Sequence, residues 1–590
     1  MSSVRAAALK PGGAFLLGPT SADELFTPED FTQEHQAIAR TSDDFWTREV
    51  VPQLETLQQQ APGVARTLLQ RSGELGLLSV TVPEKFGGME LDLTSAMIVA
   101  ESIGKDGSYA AWHGAHAGIG TLPILLFGTE QQKAKYLPKL ASAEWIGAYC
   151  LSEPQAGSDA LAAKTRAELS ADGTHYVLNG QKMWITNGAE ADLFTVFAKI
   201  GGEKFTAFLV ERRFGGVVSG AEERKMGIKG SSTTALYLDN VRVPVENVLG
   251  EIGRGHIIAF NILNLGRLKL GPFAVGAAKN VLTESLRYAK QRIAFGKPIA
   301  SFGIIQHKLA EMAVRIFAAE TMSYGVAGMI ERRLDGFTWE RPEAARQHLA
   351  AAEEYAIECS LVKVFASEML DFVTDEGVQI HGGYGYHQDY TVERAYRDSR
   401  INRIFEGTNE INRLLATGML LKRAQRGQLA LVDAVKRFQA ELLGSPTPAG
   451  MSSHDGEQAL VENAKRIGLL VIGVAYQRFL NSLEEQQEIL AAVADILIQV
   501  LAMELVVLRA QKLGAKAGLA ASIAAVFARS AMESIEQSAR TVLGASSEGD
   551  GLRTNLAVLR RYAKFDPVNS VELRRSIARR LLHVERYTAT

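Results

Sequence analysis

The sequence predicts a mainly α-helical protein with a central antiparallel β domain. The spacing of apolar residues is helical at first, alternates from about residue 148, and becomes helical again after residue 255. A segment rich in proline, glycine and serine near residue 450 then precedes a last helical region. These observations divide the 590 residues, which suffice for several hydrophobic cores, into helical, β and helical domains followed by an extension.

Each predicted domain has its own apolar pattern. Leucines such as Leu68 and Leu75 recur at helical spacing in the first domain, whereas stretches such as 193–197 and 206–210 in the second are typical of strands. The predicted boundaries are 27–147 for an N-terminal helical domain, 148–255 for the β domain, 256–423 for a helical bundle, 424–456 for a linker and 457–590 for a C-terminal helical extension.

Turn residues and long apolar stripes refine this outline. Asp172 with Gly173, and Asn179 with Gly180, are pairs typical of tight turns, so turns are expected between strands at both places. Amphipathic patterns predict long helices over residues 304–333 and 346–375, and helices of that length favour a bundle.

The composition excludes several classes of protein. A formal net charge of −2 with 22% charged residues offers no basic surface for a nucleic acid. Two cysteines, Cys150 and Cys359, build neither a disulfide framework nor a zinc or iron–sulfur centre, so we expect no metal and a reducing compartment. Residues 489–508 are apolar, but Asp495 and Glu504 favour a buried helix over a membrane span.

The first 22 residues bear on localisation. Their apolar stretch is too short for a secretory signal, but they lack acidic residues and contain basic and hydroxyl side chains, which leaves an organellar transit peptide open. We expect a cytoplasmic protein in a bacterium, or a mitochondrial matrix protein in a eukaryote.

Glu406 is a candidate general base. It precedes Gly407, which lets the backbone leave helical geometry, and Thr408, which is suited to cap the next helix. Glu406 should therefore project from a connection between two helices, where catalytic side chains are often mounted. An exposed loop glutamate is the alternative.

Two segments at the β domain are suited to a flat polar ligand. The loop at 149–159 is rich in small and hydroxyl residues, so backbone N–H groups and Ser152 can approach a heterocycle; an ordinary turn is the alternative. In a strand, Trp184 and Thr186 would share one face and border the same ligand, although core packing explains Trp184 equally well.

Two further segments are suited to a phosphorylated cofactor. Arg292 supplies a guanidinium for a diphosphate and is followed by Phe295 and a glycine; a surface salt bridge is the alternative. The run Gln-Ile-His-Gly-Gly-Tyr-Gly-Tyr at 379–386 contains more glycines than the end of a helix requires, which indicates close approach of backbone to a ligand. The nucleotide-binding glycine motifs of the Rossmann and P-loop classes do not occur.

These motifs resemble those of the acyl-CoA dehydrogenase family over residues 27–423. Cys-Leu-Ser-Glu-Pro-Gln-Ala-Gly-Ser-Asp at 150–159 is similar to the first family signature, and residues 379–386 with Asp389, Arg394 and Asp398 are similar to the second. The segment at 261–267 and the extension after the linker most resemble the very-long-chain branch.

The resemblance implies a fold, a cofactor and a reaction. The family fold has an N-terminal helical, a central β and a C-terminal helical domain, and binds FAD between the last two and against a neighbouring subunit. The implied reaction removes the pro-R α-proton of a long-chain acyl-CoA while a β-hydride passes to FAD, giving a trans-2-enoyl-CoA in fatty acid β-oxidation. An electron-transferring flavoprotein would be the acceptor. An acyl-CoA oxidase, or a non-catalytic scaffold of this fold, is the alternative.

Roles follow by resemblance for individual residues. Glu406 is the implied base, and a carbonyl polarised by the base's own N–H and by an FAD hydroxyl would acidify the α C–H. Exclusion of water should raise the Glu406 pKa toward the working pH. The implied substrate contacts are Ser158, Asn264, Arg267 and Gly407. The implied FAD contacts are Tyr149, Leu151, Ser152, Trp184, Thr186, Arg292, Phe295, Phe302, Gln379, Gly382, Gly383, Thr408 and Glu410, with residues 379–383 reaching the FAD of a partner subunit.

Several positions qualify these implications. Gly266 stands where some branches carry the base, so Glu406 has no competitor there, whereas Ala294 and Gln155 depart from the residues usual near the FAD diphosphate and in the loop over the flavin. Small residues at 115–120 favour a deep acyl channel, with tight helix packing as the alternative.

The branch implies a homodimer and peripheral membrane contact through the extension. The basic tail, residues 553–586, fits anionic lipid or pairing within the protein.

Overall fold

The N-terminal region is helical, as the spacing of its apolar residues predicts. The structure, a computed structural model, describes residues 9–443 and 456–590. Thr32, Asp92 and Thr129 each begin a helix by accepting a hydrogen bond from a backbone N–H of its first turn. The α-helices of this region are α1 (Gln33–Phe45), α2 (Leu54–Gln58), α3 (Val64–Glu74), α4 (Leu93–Ile103), α5 (Gly107–Gly114), α6 (Leu122–Phe127) and α7 (Glu130–Ala141).

An eight-stranded sheet follows, and most of its neighbouring strands are antiparallel. Its order is β6-β7-β3-β2-β4-β5-β8, with β1 beside β4; the β1–β4 and β2–β4 pairs are parallel. The strands are β1 (Gly147–Cys150), β2 (Arg166–Leu169), β3 (His175–Thr186), β4 (Leu193–Ile200), β5 (Lys204–Glu211), β6 (Val217–Glu222), β7 (Thr233–Pro244) and β8 (Val248–Leu249).

One of the two predicted turns in the sheet is confirmed and the other is wrong. Gly173 N–H bonds the carbonyl of Ser170 in the turn between β2 and β3. Asn179 and Gly180 instead lie inside β3, where the pairing with β7 shifts register as at a β-bulge. Gly180 is needed because a Cβ there would lie 2.5 Å from Thr165 Oγ1. Pairing with β7 therefore keeps Asn179 and Gly180 in the strand, although these two residues favour a turn locally.

Long helices form a bundle after the sheet. The predicted single helix at 346–375 is wrong, because the chain breaks at Tyr355. There the Glu354 carbonyl accepts from Arg423 at 3.0 Å, and the Tyr355 hydroxyl donates to the Lys10 carbonyl at 2.9 Å. The elements are α8 (Gly255–Gln291), β9 (Ile293–Ala294), β10 (Lys297–Pro298), α9 (Gly303–Arg333), α10 (Ala344–Glu354), α11 (Ala356–His381), α12 (Thr391–Ser399) and α13 (Asn409–Gln425).

The C-terminal extension is helical, as predicted. The prediction of a linker over 424–456 is wrong in its first half, because helix α14 buries Leu431, Ala434 and Phe438; residues 444–455 lie outside the described part of the chain. The helices are α14 (Leu431–Leu443), α15 (Glu457–Phe479), α16 (Gln487–Leu513), α17 (Gly518–Ser546), α18 (Gly549–Tyr562) and α19 (Ser570–Val584).

The apolar helices of the extension are largely buried in the protein. Two helical segments among the described residues, Gln487–Lys516 and Gly518–Ser546, have the length and hydropathy of membrane spans, but 83% and 56% of their most apolar windows are buried in the protein. In the basic tail, Arg574 pairs with Glu311 of α9 at 2.5 Å and Arg579 pairs with Glu572 at 2.6 Å. Part of the tail's charge is thus balanced within the protein.

The buried Arg509 joins the extension to the bundle and to the segment before α1. Arg509 on α16 donates to Glu320 of α9 at 2.6 Å and to Glu29 at 2.7 Å. The described residues before α1 lie in the same region: Leu16 is buried, and Thr20 N–H donates to Glu504 of α16 at 3.1 Å. The first 22 residues are the candidate transit peptide. Within that segment, residues 9–22 are packed against the folded protein, and residues 1–8 lie outside the described part of the chain.

Candidate active site

Glu406 lies at the predicted connection, between a 3₁₀ turn at Arg400–Arg403 and α13. Glu406 and Gly407 both have left-handed backbones, with φ of 57° and 80°. Thr408 caps α13 as predicted, since its Oγ1 accepts a hydrogen bond from the Ile411 N–H at 3.3 Å. A left-handed backbone costs a non-glycine residue about 1–2 kcal/mol, so tertiary contacts must hold Glu406 in this conformation.

Three side chains hold the turn through its carbonyl groups. Arg267 Nε donates to the Glu406 carbonyl at 3.2 Å, and Asn412 Nδ2 and Lys363 Nζ donate to the Gly407 carbonyl at 2.7 and 2.8 Å. Arg267 is itself oriented by Asn264, whose Oδ1 accepts from Nη1 at 2.9 Å. The predicted pair Asn264 and Arg267 therefore fixes the turn that carries Glu406.

Burial sets the protonation of Glu406. Its Oε2 is buried and accepts no hydrogen bond from any of the described residues. Burial raises the pKa of this carboxyl to about 7, although the positive charges of Arg267 and Lys363 oppose the rise. A carboxylate with a pKa near neutrality and a free lone pair is suited to accept a proton from carbon.

The carboxyl of Glu406 faces a cavity of about 490 Å³. Its lining is mostly apolar and includes residues of α5, α6, α8 and α12, the segment Ala115–Gly120 and the Glu406 turn. Gly118 leaves room in this wall, because a Cβ there would meet no described atom within 4 Å. A Cβ on Gly266, in contrast, would lie 2.7 Å from Glu406 Oε2. The glycine at 266 therefore makes space for the carboxylate.

The β domain supplies another part of the cavity wall. Thr186 lines the cavity, and Tyr149 and Leu151 are buried. Burial, and secondly the charge of Glu406, raise the pKa of Tyr149. Trp184 lies at a bulge with φ of 62° and is 59% exposed, so the core-packing alternative is wrong. An exposed indole two residues before the cavity-lining Thr186 offers a surface for an aromatic ligand.

A buried ion pair fixes the loop after β1. Glu153 accepts from Lys182 Nζ at 2.7 Å and from the N–H groups of Lys164 and Thr165 at 2.6 and 3.1 Å. The carbonyl of the neighbouring Ser152 accepts from Met183 N–H at 3.0 Å, which ties the loop to β3 beside Trp184. The loop is therefore held in place by hydrogen bonds, and Glu153 to Ala156 form a tight turn within it; a ligand contact at Ser152 stays a prediction.

The remaining predicted FAD contacts lie elsewhere. Arg292, Gly382 and Gly383 line a second cavity of about 550 Å³, in which the Arg292 guanidinium lies 5.6 Å from the centre of the Tyr384 ring. Phe295, in the hairpin between β9 and β10, is 95% exposed and packs edge-on against Phe302 at 5.9 Å. Gln379 is exposed at the end of α11. These residues do not line the Glu406 cavity within this chain.

Two predicted contacts are isolated at the surface. Ser158 is exposed in the loop after β1, and Glu410 is exposed in the first turn of α13. Of the two unusual positions, Gln155 is exposed and Ala294 is half-buried in β9. Nothing in the described contacts assigns these four side chains a ligand.

Sequence reasoning missed Lys363 and Asn412. Besides holding the Gly407 carbonyl, Lys363 donates to Asn409 Oδ1 at 2.7 Å, and burial lowers its pKa to about 7. A lysine in the apolar stretch of α11 was the available signal, since buried lysines are rare without a partner or a function. Asn412 had no such signal, because asparagine is ordinary in the first turn of a helix.

The arrangement of a helical, a β and a helical domain around a buried base and an exposed indole is that of a flavin-dependent dehydrogenase. Family models agree with this class: the acyl-CoA dehydrogenase N-terminal domain matches residues 32–144, the middle domain residues 148–241, and two C-terminal domain models residues 253–420 and 463–561. The chain belongs to the acyl-CoA dehydrogenase family, and FAD is its cofactor.

Three relatives show how far the similarity extends. The chain is 48% identical to a probable acyl-CoA dehydrogenase of Bacillus subtilis, over 99% of both proteins. A crystal structure of an acyl-CoA dehydrogenase with FAD from Bacillus anthracis is 50% identical, with a TM-score of 0.96, over 98% of this chain and 100% of that one. The human very long-chain specific enzyme is 44% identical over 60% of this chain and 52% of that protein.

The residues present fit FAD. The exposed Trp184, two residues before the cavity-lining Thr186, offers a face for a flat ring system. The second cavity combines a guanidinium with two glycines that leave its wall open. Among the described residues no carboxylate forms a salt bridge with Arg292, so its charge is available to a diphosphate.

Proposed function

We propose that the protein oxidises long-chain acyl-CoAs to trans-2-enoyl-CoAs as a step of fatty acid β-oxidation. The observation that carries this proposal is the buried Oε2 of Glu406, which has no partner among the described residues, faces a mostly apolar cavity and belongs to a carboxyl with a pKa of about 7. Bound FAD supplies the acceptor for the hydride, and an electron-transferring flavoprotein is the proposed destination of the electrons.

Glu406 takes the α-proton in this proposal. An α C–H next to a thioester is a weak acid, so the carbonyl oxygen needs hydrogen-bond donors. The Glu406 backbone N–H is such a donor, because it forms no hydrogen bond with the described parts of the chain. Arg267 and Lys363 hold the two carbonyls of the turn that carries both the carboxylate and this N–H.

Two subunits are proposed to share each FAD. Thr186, which lines the Glu406 cavity, is assigned to the flavin ring together with Tyr149, Leu151, Ser152 and Trp184. Arg292, Phe295, Phe302 and the glycines at 382–383 form a separate surface. A homodimer in which this surface reaches the FAD of its partner accounts for both groups of residues. Thr408, Glu410 and Ser158 keep their predicted contacts with FAD and CoA as part of this proposal.

The cavity wall supports long substrates. Gly114, Ala115 and Gly118 all lie in it, and small side chains leave volume for an acyl chain. The apolar chain also displaces water from the Glu406 carboxyl, which keeps its pKa close to neutrality.

An anaerobic titration tests the proposal. The purified FAD-containing protein is mixed with saturated acyl-CoAs of graded length while the flavin absorbance is followed. We expect loss of the oxidised flavin spectrum with long chains. Rapid peroxide formation under air, without need for an external acceptor, would identify an acyl-CoA oxidase instead. A colourless protein unable to bind FAD would identify a scaffold.

A further inference from the structure

Lys269 places an ammonium group in the wall of the Glu406 cavity. It follows Gly266 by three residues on α8, so the two positions share one helix face about 4.5 Å apart along the axis. Gly114, Gly118 and Phe273 line the same part of the wall, where a small adjoining pocket of about 30 Å³ begins. A cation thus lies in the region that an acyl chain is proposed to occupy.

This cation has no counter-ion in residues 9–443 and 456–590. Burial lowers the pKa of Lys269 to about 8, and no nearby carboxylate opposes that effect. The buried lysines Lys182 and Lys465 have counter-ions, since Lys182 pairs with Glu153 at 2.7 Å and Lys465 pairs with Glu504 at 2.6 Å. Lys269 is half-buried in the cavity wall, and partial desolvation of an unpaired charge costs free energy, so an anion that reaches it replaces lost hydration.

His113 adds a second polar group to this wall. The residue is 4% exposed, and its Nε2 forms no hydrogen bond with the described residues. Burial, together with the charges of His116 and Lys269, lowers the pKa of His113 to about 3, so the ring is neutral at physiological pH. Lys269 is therefore the charged group where the cavity meets the small pocket.

We propose that this wall is a subsite for a carboxylate carried by the acyl chain, remote from the thioester. Lys269 donates hydrogen bonds to that carboxylate and gains its counter-ion, and the preferred substrates then include ω-carboxyacyl-CoAs. The inference rests on the proposed function, because an acyl chain must enter the cavity to deliver the carboxylate. It adds a substrate class to that function and changes no chemical step.

Two matched substrate series test the subsite. The FAD-containing enzyme is assayed for kcat/KM with methyl-terminated and ω-carboxylated acyl-CoAs of equal and graded length. At the length that reaches Lys269, Lys269→Met should lower the ratio of carboxylated to methyl-terminated kcat/KM by about tenfold or more, as loss of a desolvated charge contact does. Lys269→Arg should keep most of the preference, and Leu270→Met, a neutral change in the same wall, should alter the ratio less than about twofold.

Each outcome has a separate meaning. An enzyme that oxidises methyl-terminated chains but no ω-carboxylated chain overturns the subsite, as does an unchanged ratio in Lys269→Met. Equal preference for ω-hydroxylated and ω-carboxylated chains would show that charge is not recognised and would overturn it as well. Failure of both series to reduce the flavin overturns the proposed function instead. Flavin absorbance and the thermal midpoint of each variant confirm that the compared proteins are folded and loaded.

Discussion

Replacing Gly266 with alanine should slow the reaction without weakening the fold. The new Cβ would lie 2.7 Å from Glu406 Oε2 and 3.0 Å from its Cδ, and ordinary contacts begin at 3.4 Å. The carboxylate must therefore move by at least 0.7 Å, the difference between 3.4 and 2.7 Å. A displacement of about 1 Å at a reacting group costs roughly 10²-fold in rate. We expect the rate of flavin reduction to fall by about 30- to 100-fold, or about 2–3 kcal/mol in activation free energy.

The stability of the variant separates this effect from damage to the protein. The side chain that must move ends in the cavity, and alanine is favoured over glycine inside a helix by about 1 kcal/mol, so the free energy of unfolding should not decrease. Stopped-flow measurement of anaerobic flavin reduction gives the rate, and denaturant unfolding gives the stability. Gly418→Ala is the matched control, because a Cβ at this α13 position would meet no described atom within 4 Å. A rate for Gly266→Ala within about threefold of the Gly418→Ala rate would refute the argument from carboxylate position.

Three more predictions follow from the site and the extension. Glu406→Gln should retain FAD but reduce flavin about 10³-fold more slowly, and near-native reduction would mean that another group is the base. Because the base must be ionised and its pKa is about 7, kcat/KM should rise as the pH increases through about 7. Lys363→Met removes a charge that lowers the pKa of Glu406, so the rise should move to higher pH. A pH-independent rate from about pH 5 to about pH 9 would contradict the assignment of Glu406 as the base. Arg509→Met should lower the free energy of unfolding by about 3–5 kcal/mol, because it removes a buried charge that pairs with the buried Glu320 and with Glu29. Arg553→Met, at an exposed pair, should cost less than about 1 kcal/mol. Equal losses in denaturant unfolding would show that the pairs of Arg509 contribute little.

Local patterns predicted much of the fold. Helical and alternating spacing located the bundle and the sheet, and Thr408 and Gly407 located the turn that carries Glu406. Predictions failed where distant segments compete with local preference. Asn179 and Gly180 favour a turn, but pairing with β7 keeps them in a strand. The apolar pattern at 346–375 is continuous, but contacts with Arg423 and Lys10 accompany the break at Tyr355.

The sequence by itself determined the domain order, the family and the candidate base, because spacing, capping and motifs are properties of neighbouring residues. Tertiary structure decided the environment of Glu406. Burial raises its pKa to about 7 against the opposing charges of Arg267 and Lys363, which are far away along the chain. The space for its carboxylate comes from Gly266, and the lack of a counter-ion at Lys269 is equally a matter of packing. Desolvation and close approach depend on which distant segments meet, and only the folded chain brings them together.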